Sequence, residues 1–146
     1  MKIKKKEVEP LLYTLQFQKE GVEYGLLTEE MPMSLRRFLQ KIRKELITQY
    51  EEIRKDIVEI ASDFRKKAIS ELPSEISEKE YLDPKSEHHK LFQEKYKSFS
   101  QEQDKEFITL MDEEFELTSS PASMEMILAI KTDKNYDFDL LEKIAQ

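Results

Sequence analysis

Residues 42–74 repeat with a period of eleven: IRKELITQYEE, IRKDIVEIASD, FRKKAISELPS. Each block opens on an apolar residue (Ile42, Ile53, Phe64) followed by Arg-Lys. Each then carries two adjacent apolar residues: Leu46 and Ile47, Ile57 and Val58, Ala68 and Ile69. Eleven residues make about three helical turns at roughly 3.67 residues per turn, so equivalent side chains stay in line along a nearly straight helix. The repeat predicts one long amphipathic helix, starting at about Pro32 or Met33 and running to Leu72, where Pro73 stops it.

Laid out at about 100° per residue, Leu35, Leu39, Ile42, Leu46, Tyr50, Ile53, Ile57, Ile60, Ala61, Phe64 and Ala68 share one arc about 100° wide, the width of a stripe packed on a core. Ile47, Val58 and Ile69 form a second file beside it. Arg43, Arg54 and Arg65 run along the border between the two. The plain reading is that another helix of the same chain covers the second file, since long arginine stems also cover a protein's own core. The sharper reading is a partner-binding or self-association surface with an arginine rim, a composition that suits interfaces.

At 146 residues the chain is expected to form one helical domain, with residues about 73–86 as a mobile connection. Charged residues make up 38%, more than an ordinary globular domain carries, and two glycines favour helices over turn-rich β structure. There is no cysteine, which removes disulfides and thiolate chemistry and fits a cytoplasmic setting. No apolar run approaches the roughly 18 residues of a membrane span, so a soluble chain without a membrane partner is expected. The net charge of −7 is uneven: residues 1–70 hold 15 Lys/Arg against 12 Asp/Glu, and residues 71–146 hold 9 against 19. The simplest explanation is a basic long helix lying along an acidic later one.

The flanking segments are read from the same patterns. Ile3 among lysines starts an edge strand, with a phosphate-touching basic arm as the alternative. From Lys6 to Gln18, Val8, Leu11, Leu12 and Leu15 have helical spacing, and Pro10 places that helix start near Glu7. Val22–Leu27 reads as a turn or short strand between glycines. A second long helix is expected from about Ser86, its N-cap, to Glu114, with Leu91, Phe92, Tyr96, Phe99, Gln103, Phe107, Leu110 and Met111 inward. Gln103 either bonds across the helix pair or marks a thinner core. Phe115–Thr118 alternates like a strand that pairs with Met1–Lys4 or with Gly25–Thr28. Ser120-Pro121 is expected to open a helix carrying Met124, Ile127 and Leu128. Asp137 caps a last helix with Leu140, Leu141 and Ile144 on one face. The fold class is therefore mainly α: a long antiparallel helical hairpin (about 33–72 against about 86–114), shorter flanking helices, and a minor two- or three-stranded β element.

The residues offer no catalytic motif. His88 and His89 are adjacent, so on a helix they point about 100° apart and do not share a metal-binding face. They are expected to be solvated. The acidic run Asp112-Glu113-Glu114 with Glu116 reads as a solvated helix end before it reads as a cation site. Two glycines make no phosphate loop. No catalytic residue, metal site or cofactor is assigned, and an enzyme is not expected. Arg36, Arg37, Lys41, Arg43, Lys44, Arg54, Lys55, Arg65, Lys66 and Lys67 all lie on the long helix, which keeps phosphate binding as an alternative.

The stretches MKIKKKEVEPLLYTL, SLRRFLQKIRKELITQYEEIRKDI and HKLFQEKYKSFSQEQDKEFITLMDEEFEL, about half of the chain, resemble a family of small helical proteins of unknown function encoded by tailed bacteriophages. The chain departs from that family in its extended 73–86 connection and extra tail. The resemblance implies a phage-encoded protein, in the host cytoplasm or the virion, and supplies no functional residues. The function expected is an interaction or virion-assembly protein that holds a protein partner or a copy of itself through Arg43, Ile47, Arg54, Val58, Arg65 and Ile69. The alternative is a nucleic-acid-associated phage protein working through the basic helix 36–67.

Overall fold

A computed structural model describes all residues, Met1–Gln146. It is mainly α, with seven helices and two small antiparallel sheets of two strands each. The chain divides into two compact units, Met1–Ile53 with Met111–Gln146, and Arg54–Leu110. The long helix contributes to both.

That helix, α2, runs without interruption from Met33 to Ser70. The Pro32 carbonyl accepts its first bond, from the Arg36 N–H at 3.1 Å. Pro32 therefore stands just outside the helix rather than in its first turn. At the far end Glu71 and Leu72 turn back on the Ala68 and Ile69 carbonyls, so the helix stops slightly ahead of Pro73. The apolar stripe is not evenly buried. Leu35, Leu39, Ile42, Leu46, Ile53, Phe64 and Ala68 are buried, whereas Tyr50, Ile57, Ile60 and Ala61 are half-buried.

In the first unit, β1 (Lys2–Lys4) pairs antiparallel with β4 (Glu114–Glu116), placing Ile3 opposite Phe115. Ile3 is fully buried, while Lys2 and Lys4 face Glu116 and Glu114 across the ladder. Opposite charges on the outer face thus choose the Met1–Lys4 pairing over the Gly25–Thr28 alternative. Helix α1 (Lys5–Leu15) follows at once and buries Val8, Leu11 and Leu15. It starts earlier than Pro10 suggested, because Glu7 accepts a bond from the Lys4 N–H at 2.9 Å and organises the first turn. Pro10 then sits in the second turn, where it forfeits the single bond to the Lys6 carbonyl.

The α1 pattern was expected to reach Gln18. It ends at Leu15 instead, and β2 (Phe17–Lys19) turns back into β3 (Val22–Tyr24). Glu20 (φ 53°) and Gly21 (φ 77°) both have positive φ, as the tight two-residue hairpin turn requires. A 3-10 turn at Leu26–Thr28 buries Leu26 and Leu27. Helix α6 (Met124–Leu128) is capped by Ser123, not Ser120. The reason is the neighbouring Ala122: its N–H bonds the Ile144 carbonyl and its carbonyl takes the Gln146 N–H, so it is held extended. Leu128 is correspondingly exposed. Helix α7 (Phe138–Leu141) is capped by Asp137, and Leu141 and Ile144 are buried as their spacing predicts.

In the second unit, the end of α2 runs antiparallel to the helices that follow. Lys95 meets Glu71, and Lys67 meets Glu102. The expected second long helix is two: α4 (His89–Ser98) and α5 (Ser100–Asp112), parted at Phe99. Two serines flank that residue, and the Ser98 hydroxyl bonds the Lys95 carbonyl at 2.5 Å, a side-chain bond that competes with helix continuation. Buried Phe99 packs on Phe64 with ring centroids 6.3 Å apart. The Ser86 hydroxyl takes the His88 N–H at 3.2 Å, so it caps a turn ahead of the helix rather than the helix itself. Leu91, expected inward, is 42% exposed. A short helix, α3 (Glu78–Leu82), lies in the 73–86 connection and carries fully buried Tyr81. No helix is long and apolar enough to cross a membrane.

Candidate functional site

The six residues expected to bind a partner all lie on α2, but their surroundings differ. Val58 is 62% exposed and Arg54 is exposed. Arg43, Ile47, Arg65 and Ile69 are half-buried, and Ile69 packs against the Phe64–Phe99 cluster of the second unit. The Arg43 Nε is shut off from solvent without a hydrogen-bond partner. The second file is therefore partly covered at both ends and open in the middle. Around Val58 a shallow hollow of about 510 Å³ is bounded by Arg54, Lys55, Glu59, Ser62, Asp63 and Lys66.

Part of the basic face is committed inside the chain. Arg36 donates to the Leu27 and Glu29 carbonyls at 2.6 and 2.7 Å, tying the 3-10 turn to the start of α2. Lys67 pairs with Glu102 and sits 4.7 Å from the centre of the Phe99 ring. Gln103 accepts a bond from the Tyr96 hydroxyl at 2.6 Å, so it bridges α4 and α5 rather than reaching across to α2. The histidines are half-buried rather than solvated: the His89 Nδ1 lies 2.7 Å from the Tyr81 carbonyl, and the His88 Nε2 is 3.7 Å from Glu80. The acidic run at the end of α5 is also engaged. Lys6 beside Asp112 holds that carboxyl below the usual range, and Lys5 meets Glu113 at 2.6 Å.

Two carboxylates in the first unit act as anchors. Glu45 on α2 accepts from the Thr118 and Ser119 N–H groups at 2.5 and 3.1 Å and from their hydroxyls at 3.1 and 2.7 Å. Burial pushes its carboxyl up, but the four bonds outweigh that and leave it below the ordinary value. Glu29 accepts from the Tyr136 hydroxyl at 2.8 Å and from the Thr132 hydroxyl at 2.9 Å, and these bonds hold its carboxyl low. Burial, then the Glu29 bond, pushes the Tyr136 phenol up to about 12.

The sign of the resulting pH dependence follows from these directions. Depressed carboxyls contribute stability that is whole above the unfolded value near 4.5 and is lost as pH falls through the folded values. The raised phenol contributes stability that is whole below pH 10 and is lost as pH climbs toward about 12. Denaturant midpoints measured across pH should fall at both ends. Burial also raises the Tyr81 phenol, so the Tyr136→Phe variant should lose only part of the alkaline fall, and an unchanged alkaline limb would remove Tyr136 as a source.

The structure also gathers a site that the sequence reading missed. Tyr13, Thr14, Phe17, Tyr24, Gly25, Lys134, Asn135, Tyr136 and Asp137 line a cleft of about 300 Å³ in the first unit. Phe17 and Tyr24 are cross-strand partners, their centroids 5.2 Å apart and their planes 18° from parallel. Tyr13 meets Phe17 edge-on, also at 5.2 Å. The only signal in the sequence was Glu20-Gly21 between two short segments with one aromatic each, Phe17 and Tyr24, a hairpin hidden by the helical spacing of Leu11, Leu12 and Leu15. No family model, curated protein or solved structure matches the chain.

Proposed function

We propose that this chain is a non-enzymatic interaction protein of the kind encoded by tailed bacteriophages, holding a protein partner on the outward face of α2. The observation that carries the reading is Val58: a β-branched apolar side chain 62% exposed in the middle of an unbroken helix. Lys55 and Lys66 rim the hollow in which it stands, and half-buried Ile57 and Ile60 lie nearby. A second copy of the chain offers a complementary surface. Ile108 on α5 is also 62% exposed, and exposed Asp104 lies one turn before it. Arg54, Lys55 and Lys66 outnumber Glu59 and Asp63 around Val58, and such a net basic rim set against Asp104 favours association in a defined register.

The test is Val58→Glu, followed by solution mass and partner capture. Surface substitutions usually change stability by less than about 0.5 kcal/mol. The expected result is an unchanged unfolding midpoint with loss of self-association or capture. A loosened fold with unchanged mass and capture would make Val58 a core residue and end the reading. The alternative, phosphate binding through the basic helix, is weakened by the internal use of Arg36 and Lys67. A salt-sensitive shift of duplex DNA by the wild-type protein, lost in Lys55→Gln plus Lys66→Gln, would favour it instead.

A further inference from the structure

We infer that the aromatic cleft of the first unit binds a flat aromatic ring carrying a single carboxylate. Size, surface and charge each narrow the ligand. A cleft of about 300 Å³ lies at the small end of ligand sites and accommodates one ring system. Its wall is the Phe17–Tyr24 pair with Tyr13 at the edge, and Tyr13 and Tyr24 are 53% and 38% exposed. That leaves aromatic surface open to an offset-stacked or edge-on ring.

Charge is supplied by one group of each sign. The Lys134 ammonium lies 5.9 Å from the centre of the Tyr24 ring, at the margin of the wall. Asp137 is the one carboxylate in the lining, and its Oδ1 already accepts the Leu140 N–H at 3.0 Å. Lys134 also acts on the nearby Glu29 carboxylate, so the one cation of the lining is already partly balanced by acids, which suits at most a single negative charge and disfavours a polyphosphate. Asn135 adds a carboxamide to the same lining.

The cleft is also set in place before any ligand arrives. The Tyr136 hydroxyl bonds the Gly25 carbonyl at 3.2 Å as well as Glu29, and the Thr132 hydroxyl takes the Lys134 N–H at 3.1 Å. The loop carrying Lys134 is therefore tied to the segment carrying Tyr24. Such pre-organisation lowers the ordering cost of binding. None of these residues lies on α2, so this proposal and the α2 reading stand or fall separately.

Two sources present this chemistry: a free aryl acid, or the aromatic C-terminal residue of a peptide. Titration of the full chain, followed by amide chemical shifts, uses indole-3-acetate, neutral indole, the tripeptide Gly-Gly-Phe, its C-terminal amide, and adenosine triphosphate. Saturable shifts confined to the cleft are expected with indole-3-acetate, Gly-Gly-Phe or both, and whichever binds names the source. Indole and the amide should bind at least about tenfold more weakly, the loss expected when a charged hydrogen bond is removed. Lys134→Gln should erase that preference with the unfolding midpoint unchanged, while Lys131→Gln should keep it. No saturable binding by either carboxylate, equal binding of indole, tighter binding of the triphosphate, or a preference that survives Lys134→Gln would each overturn the assignment.

Discussion

Replacing Gly25 with alanine should lower the unfolding free energy by about 3 kcal/mol or more, the upper end for a glycine-only backbone conformation. Gly25 sits at φ 116° and ψ 174°, a region that L side chains rarely adopt. A Cβ there would stand 2.6 Å from the Leu15 carbonyl oxygen and 2.7 Å from the Gln16 Cα, both backbone atoms that cannot swing aside. The other glycine provides the control. Gly21 also has positive φ, at 77°, but nothing lies within 4 Å of its hypothetical Cβ. Gly21→Ala should therefore cost only about 1 kcal/mol, the ordinary left-handed penalty. Urea denaturation of both variants checks the pair; equal midpoints would mean that α1 and the hairpin do not approach as closely at Leu15 as described.

The second large effect separates positions that look alike in the repeat. Leu46 and Ile57 occupy the same place in successive eleven-residue blocks. Leu46 is fully buried and Ile57 half-buried. Leu46→Ala should cost about 3 kcal/mol, with a cavity adding to the lost transfer energy. Ile57→Ala should cost about 1 kcal/mol, because part of the side chain is already in water and little cavity forms. Similar losses at the two sites, measured by the same denaturation, would show that the middle of α2 is covered in solution. If the solution mass is that of a single chain, that would also remove the basis for a binding face at Val58.

The long helix was legible because its evidence is local and repeated. Three in-register blocks without an internal proline or glycine leave the backbone little else to form. The last helix was legible for a similar reason, with Asp137 three residues before Leu140. The short elements were harder. Leu11, Leu12 and Leu15 suggested a helix that continued to Gln18, and only the pairing of Phe17 with Tyr24 turns that tail into a strand. The expected helix over 86–114 is parted at Phe99 because a buried ring and two serines outweigh a favourable helical pattern. Ser120 was expected to cap the sixth helix, and the cap falls at Ser123 because of the bonds Ala122 makes to Ile144 and Gln146, far along the chain.

The candidate sites divide in the same way. Arg43, Ile47, Arg54, Val58, Arg65 and Ile69 were readable as a file because helical periodicity assigns directions. How much of that file remains open was not readable, because cover comes from other segments. The aromatic cleft was invisible for a related reason: its lining comes from residues 13–25 and 134–137, and Glu29 holds the loop beside the hairpin across a long separation in sequence.

The sequence alone determined the mainly helical class, the length of α2, the direction in which each of its side chains points, and where the final helix begins. These depend on dihedral preferences and on neighbours within a few turns. Tertiary structure alone decided which apolar positions are wet, which serine caps, and where a lysine meets a wall of aromatic rings, because burial and proximity are set by segments that meet only once the chain has folded.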